Sequence, residues 1–172
     1  MKICDFGLSF QCGRRICPSI QTVVNHGLQQ QTLWFRAPEV LLGYVEYARP
    51  ADVWSLAVVM LNMVGSDCPF QARGQYELLV MIFRVLGTPD ESTWPGFSDR
   101  PLQTSFPQFH RQCIAAGLSA VHPTKKKFDF GTKVAHDFVS RVLLCYPGAR
   151  LTAHGALQHP YLRPALQLHG KS

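Results

Sequence analysis

Four short motifs in the 172-residue sequence combine charged residues with fixed neighbours, and each could carry chemistry. Asp5 stands in Asp5-Phe6-Gly7, and a carboxylate can hold magnesium across phosphate groups, as phosphoryl transfer requires. Taken alone, such a triplet is more simply interpreted as a turn after a strand. The other motifs are Ala37-Pro38-Glu39, the run from Asp52 to Leu56, and Pro147-Gly148-Ala149-Arg150. Together the four motifs exclude a chance match.

The order of these motifs resembles a protein kinase of the cyclin-dependent type. In kinases, Asp-Phe-Gly opens and Ala-Pro-Glu closes the activation segment, which here spans residues 5–39. Four runs look like those of the cyclin-dependent branch: Leu86 to Glu91, Trp94-Pro95-Gly96, Ser105-Phe106-Pro107 and His159-Pro160-Tyr161. The resemblance covers nearly the whole chain, from Met1 to about Leu162.

This resemblance implies roles within the activation segment. Asp5 would be the magnesium ligand, Gly7 would let the backbone turn, and Phe6 would pack under the nucleotide site. The stretch that would dock the substrate contains Thr32, Trp34 and Arg36. Its Trp-x-Arg pattern is typical of kinases that favour proline after the phosphorylated residue. A complete kinase of this type would use ATP and Mg²⁺ and phosphorylate proteins at Ser-Pro or Thr-Pro sites.

Structural roles are implied for four residues: Glu39, Arg150, Asp52 and Trp54. Glu39 and Arg150 are expected to form a buried ion pair that ties the activation segment to the base of the helical lobe. Asp52 has two open interpretations. In the family, this residue accepts hydrogen bonds from the catalytic loop; here it could instead be only a carboxylate in the first turn of a helix, where it favours the helix dipole.

The chain departs from the family pattern at two positions that bear on activation. Gly27 occupies the position of the threonine that is usually phosphorylated, counted back from the Ala-Pro-Glu motif. Ser19 or Thr22 could be phosphorylated instead, although loop serines and threonines are more often turn residues. Tyr146 stands where an aspartate usually precedes Pro-x-x-Arg. These departures indicate a divergent member and argue against activation through the usual threonine.

The sequence before Asp5 contains no glycine-rich loop, no lysine strand and no His-Arg-Asp motif. The catalytic aspartate and lysine are therefore missing, and we expect this polypeptide to have no kinase activity by itself. Two interpretations remain. In one, Met1 is internal to a longer gene and the chain is the C-terminal half of an active serine/threonine kinase. In the other, the short form is a non-catalytic interaction module.

The elements that must position these residues are predicted to be mainly α-helical. We expect a truncated C-terminal lobe of a protein-kinase-like fold over residues 1–162, with the lobe itself at 40–162 and a tail at 163–172. A short strand over Met1 to Cys4 would lead into the Asp-Phe-Gly turn. Helices are predicted over Pro38 to Leu42, Arg49 to Val64, Gln75 to Leu86, near Gln108 to Gly117, over Val134 to Leu144 and over Thr152 to Gln158.

The helix that contains Val53 to Val64 is apolar on nearly every face, which is typical of a helix in the middle of a domain. Because the parts of a kinase that cover one side of this helix are missing from the sequence, we expect an exposed apolar patch.

Composition indicates a folded protein, since 47% of residues are hydrophobic and 16% are charged. The net charge is +6, but its densest run, Lys125 to Lys127, lacks interleaved aromatic residues and is interpreted as a solvated loop. A nucleic-acid partner is therefore not expected, and the longest apolar stretch, Val53 to Val64, is too short to span a bilayer. The resemblance to cyclin-dependent kinases instead implies protein substrates and a cyclin-like or small regulatory subunit. The six cysteines lack a C-x-x-C pair, which favours reduced, mostly buried thiols in an intracellular protein of the cytoplasm or nucleus.

Overall fold

The computed structural model describes residues 3–4, 6, 33–43, 49–65, 67–98, 106–121 and 130–164. Within these ranges the protein is helical and contains no β-strand. The elements are α1 (Pro38–Leu41), α2 (Arg49–Gly65), α3 (Gln75–Leu86), α4 (Ile114–Val121), α5 (Lys133–Val142), a 3₁₀-helix (Pro147–Ala149) and α6 (Ala153–Gln158). The prediction of a mainly α fold is confirmed for this part of the chain.

The predicted N-terminal strand is not found at the two residues where it can be checked. Ile3 and Cys4 have no regular secondary structure, and the Ile3 side chain is 82% exposed. A strand needs a neighbour to accept and donate its backbone hydrogen bonds, and no described residue belongs to a sheet. The prediction placed a strand here because these residues precede the Asp-Phe-Gly turn, and it was wrong over Ile3 and Cys4.

Helix α2 lies at the centre of the core, but only one of its sides is fully buried. Ala51, Trp54, Ala57, Val58 and Leu61 are buried and follow each other at helical spacing. On another side, the exposed fractions are 46% for Leu56, 70% for Met63 and 50% for Val64. The helix is therefore less enclosed than its sequence suggests, and the predicted exposed apolar patch is confirmed. We call Leu56, Met63 and Val64 the α2 patch.

Helix α3 begins and ends as its sequence predicts, and it packs against α4. Gly87 stops it with φ of 90°, a backbone angle that favours glycine, and donates its N–H to Phe83 at 2.8 Å. Helix α4 approaches closely at Gly117, where an added Cβ would lie 3.0 Å from the Cα of Val85. This contact accompanies a shift of α4 towards the C-terminus, from the predicted 108–117 to Ile114–Val121.

Two helices begin at threonine caps. Thr132 accepts a hydrogen bond from the N–H of Ala135 at 3.2 Å, and Thr152 accepts one from Gly155 at 3.0 Å. Helix α5 packs against α2 and ends at Val142, two residues before the predicted end at Leu144. The predicted final helix and its Thr152 cap are confirmed.

Four cysteines lie in the described part of the chain, and none of them forms a disulfide there. Cys68 is buried and Cys145 is half-buried, but Cys4 and Cys113 are exposed. The expectation of mostly buried thiols is therefore wrong for two of these four. No helix in the described ranges is long and apolar enough to cross a membrane.

Candidate functional site

A buried ion pair joins the end of the activation segment to the segment that follows α5 in the helical lobe. The guanidinium of Arg150 donates to both carboxylate oxygens of Glu39, with Nη1–Oε1 at 2.7 Å and Nη2–Oε2 at 2.9 Å. Both residues are buried. Two parallel charge-assisted hydrogen bonds fix the relative orientation of the planar groups as well as their distance. The predicted buried ion pair is present.

Arg150 also satisfies its remaining donors, so its buried charge is well compensated. Its Nη1 donates to the carbonyl of Pro50 at 2.7 Å, and its Nε and Nη2 donate to the carbonyl of Leu144 at 3.1 Å and 2.8 Å. The guanidinium carbon lies 5.1 Å from the centre of the Trp54 ring, which is within the range of a cation–π contact. One side chain therefore ties together α1, the first turn of α2 and the segment after α5.

The indole of Trp54 is the aromatic partner in this cation–π contact. Its side chain is fully buried and stacks on Phe70, with ring centres 6.2 Å apart. Its Nε1 has no hydrogen-bond partner within the described residues. Within the described residues Trp54 therefore contributes through packing and its contact with Arg150. Asp52 lies exposed in the first turn of α2, a position that fits the helix-start interpretation.

The stretch that was predicted to dock the substrate is held against the lobe by two hydrogen bonds. Trp34 donates its Nε1–H to the carbonyl of Ala72 at 2.7 Å. Ser55 of α2 donates its hydroxyl to the carbonyl of Phe35 at 2.9 Å. Arg36 directly follows the two anchored residues, and burial lowers the pKa of its guanidinium. The docking stretch therefore has a backbone position fixed by α2 and by the loop before α3.

The remaining predicted site residues contribute less to this picture. Phe6 is described, but its side chain is 70% exposed and does not pack under another part of the described structure. Five predicted residues lie outside the described ranges: Asp5, Gly7, Ser19, Thr22 and Thr32. The ranges that are described contain no cluster of three or more histidine, cysteine, aspartate or glutamate side chains able to hold a metal ion.

Sequence reasoning missed a second polar anchor near the end of the described chain. The ring of His159 is 7% exposed, and its Nε2 lies 2.9 Å from Oδ2 of Asp137, while its Nδ1 accepts the N–H of Tyr161 at 3.2 Å. His159 and Arg141 lower the pKa of the Asp137 carboxyl by hydrogen bonding. The only signal in the sequence was the His159-Pro160-Tyr161 run, whose partner in α5 cannot be read from spacing.

Comparison with known proteins agrees with this geometry. The protein kinase domain model matches residues 1–162. Cyclin-dependent kinase G-2 of Oryza sativa subsp. indica is 36% identical over 169 residues, and cyclin-dependent kinase G-1 of the same rice is 37% identical over 171 residues. Each alignment covers 95% of this chain but 22% of the relative, so the chain spans about a fifth of the length of these curated proteins. The chain belongs to the protein kinase domain family, and its similarity within that family is to cyclin-dependent kinases.

Proposed function

We propose that this chain is the C-terminal segment of a cyclin-dependent-like serine/threonine kinase that, when complete, transfers the γ-phosphate of ATP to Ser-Pro and Thr-Pro sites. The supporting observation is the Glu39–Arg150 pair, which fixes the end of the activation segment to the helical lobe. Phosphoryl transfer depends on positioning more than on covalent chemistry, so a rigid docking stretch serves this reaction directly.

In this proposal each part of the chain has its own role. The kinase domain occupies residues 1–162, with the activation segment at 5–39, the helical lobe at 40–162 and a tail at 163–172. Asp5 would hold Mg²⁺, which supplies charge neutralisation at the phosphates of ATP. Thr32, Trp34 and Arg36 would contact the substrate, and Ser19 or Thr22 would be the site of activating phosphorylation. The protein would act inside the cell with a cyclin-like or small regulatory subunit.

A transfer assay tests this proposal with paired peptides. The 172-residue chain and a longer product of the same gene that carries a His-Arg-Asp motif are each incubated with ATP, Mg²⁺ and peptides that contain Ser-Pro or Ser-Ala. We expect no transfer by the shorter chain and Ser-Pro-selective transfer by the longer one. Asp5→Ala should abolish transfer without lowering the unfolding midpoint. Transfer by the shorter chain, or equal use of both peptides, would contradict the proposal.

A second candidate function, a non-catalytic interaction module, is supported by the exposed α2 patch. Contiguous exposed apolar surface is a common mark of protein–protein contact. This candidate predicts that longer products of the gene do not transfer phosphate. The 172-residue chain should nevertheless form a stoichiometric complex with a protein partner through α2. Loss of that complex in a Met63→Glu variant would favour the module, and retention of the complex would count against it.

A further inference from the structure

A cavity of about 550 Å³ lies between the end of α3, the loop that follows it and the end of α5. This volume is within the usual range of small-molecule sites. The lining is mixed, and its apolar part includes the buried side chains of Leu86, Pro89 and Leu143. Such a floor favours an apolar ligand body, because covering it removes hydrocarbon surface from water.

One wall of the cavity is the half-buried ring of Tyr146, a residue at which the chain departs from the family's aspartate. The ring is tilted against Trp94, with centres 6.2 Å apart. It also lies over Gly148, because a Cβ added to that glycine would come within 2.5 Å of the Tyr146 Cζ. Gly148 therefore leaves room for the ring, and the cavity gains a flat aromatic wall where an aspartate would have supplied a negative charge.

Arg111 lies on the rim, and its guanidinium carries the charge that a ligand would meet. The side chain is exposed and has no hydrogen bond or ion pair within the described residues. The charge of Arg111 influences Cys145, which also lines the cavity. Burial raises the pKa of the Cys145 thiol to about 12, and the positive charge of Arg111 is among those that oppose this rise. His110 beside it is also exposed on the rim.

Asp90 also lines the cavity and carries a negative charge, but its Oδ1 already accepts several hydrogen bonds. This oxygen accepts hydrogen bonds from the backbone and hydroxyl groups of both Ser92 and Thr93, at 2.7 to 3.0 Å. These bonds hold the carboxylate within its own turn. Within the described residues the guanidinium of Arg111 has no such partner, so we take its positive charge as the one that selects the ligand.

We propose that this cavity binds a small molecule with a flat aromatic body and one carboxylate. The aromatic body would stack on Tyr146 above the apolar floor, and the carboxylate would accept paired hydrogen bonds from Arg111. This site goes beyond the proposed kinase activity, since none of the residues that line it is among those assigned to phosphoryl transfer or substrate docking.

Ligand binding tests the proposal with three naphthalene probes of the same size. Naphthalene-2-carboxylate, the neutral 2-naphthylmethanol and the cationic 2-naphthylmethylamine are titrated against the isotopically labelled 172-residue chain and followed by NMR. We expect the carboxylate to bind about tenfold more tightly than the alcohol, with the amine weakest, because a hydrogen bond to a charged group is stronger than one to a neutral group. Shifts should appear at residues of the cavity.

Three variants test whether the probes bind in this cavity or on another surface. Arg111→Gln should remove the preference for the carboxylate, and Tyr146→Ala should weaken both the carboxylate and the alcohol. Arg84→Gln, which changes an exposed arginine in the last turn of α3, should leave binding unchanged and serves as the matched control. Absence of binding at millimolar probe, equal binding of carboxylate and alcohol, or preference for the amine would each overturn the proposal. Preference for the amine would show that the negative charge of Asp90, rather than the positive charge of Arg111, selects the ligand.

Discussion

Arg150 is the residue on which the end of the activation segment depends. Removing the charge of Glu39 leaves a guanidinium buried without its counter-ion, which should cost about 3–5 kcal/mol of unfolding free energy. We therefore expect Glu39→Gln to lower the urea unfolding midpoint strongly, as followed by tryptophan fluorescence. The matched control is Arg141→Ala, which breaks an exposed i,i+4 pair with Asp137 and should leave the midpoint nearly unchanged. Similar midpoints for the two variants would contradict a structural role for the buried pair.

Tyr146 and Gly148 form a second residue-scale unit. Gly148→Ala forces the ring of Tyr146 to move, because the new Cβ would overlap it, and we expect a loss of about 1 kcal/mol. In a Tyr146→Ala background the same change should be neutral or stabilising, because alanine restricts the unfolded chain more than glycine does. A double-mutant cycle in urea measures this difference. An equal effect of Gly148→Ala in both backgrounds would show that the two residues do not interact.

At the scale of elements, α2 combines fully buried side chains, such as Trp54 and Val58, with strongly exposed apolar ones. Its α2 patch faces away from Trp54 and the core. Placing charges there should weaken self-association without removing core contacts, so we expect the double variant Leu56→Glu and Met63→Glu to sediment as a smaller species and bind less hydrophobic dye. The control is Val134→Glu, which charges an exposed apolar residue of α5. A wild-type chain that is monomeric and does not bind the dye would disprove the prediction.

At the scale of the whole molecule, stability should fall in acid. Hydrogen bonds from the side chains of Ser92 and Thr93, together with backbone donors, lower the pKa of the Asp90 carboxyl from 3.8 to about 2. A lowered pKa means that the folded state binds fewer protons, so this contribution is present above about pH 4 and is lost as the pH falls through about 2. We expect Asp90→Asn to flatten the dependence of the urea midpoint on pH in that window. Ser92→Ala should flatten it less, and a wild-type slope in both variants would contradict the assignment.

The helix boundaries show which structural features can be predicted from single residues. Gly87 and Pro89 end α3 where the sequence indicates, and Thr152 caps α6, because a left-handed backbone and an N-terminal hydroxyl cap are properties of single residues. Helix α4 was predicted several residues too early. The close approach at Gly117 to Val85 depends on a second helix, and no periodicity within residues 108–121 records where that helix lies.

For the candidate site, the sequence by itself determined the family motifs and the departures at Gly27 and Tyr146, because these are matters of residue type and order, and the resemblance to kinases implied the pairing of Glu39 with Arg150. Only the tertiary structure decided how Arg150 shares its donors, that His159 reaches Asp137, that Gly148 makes room for Tyr146, and which side of α2 is bare. The reason is physical: Arg150 and Pro50, like His159 and Asp137, lie far apart in the chain, and the Tyr146 ring, although only two residues from Gly148, also packs against Trp94. Their distances depend on how helices pack, which local propensity does not encode.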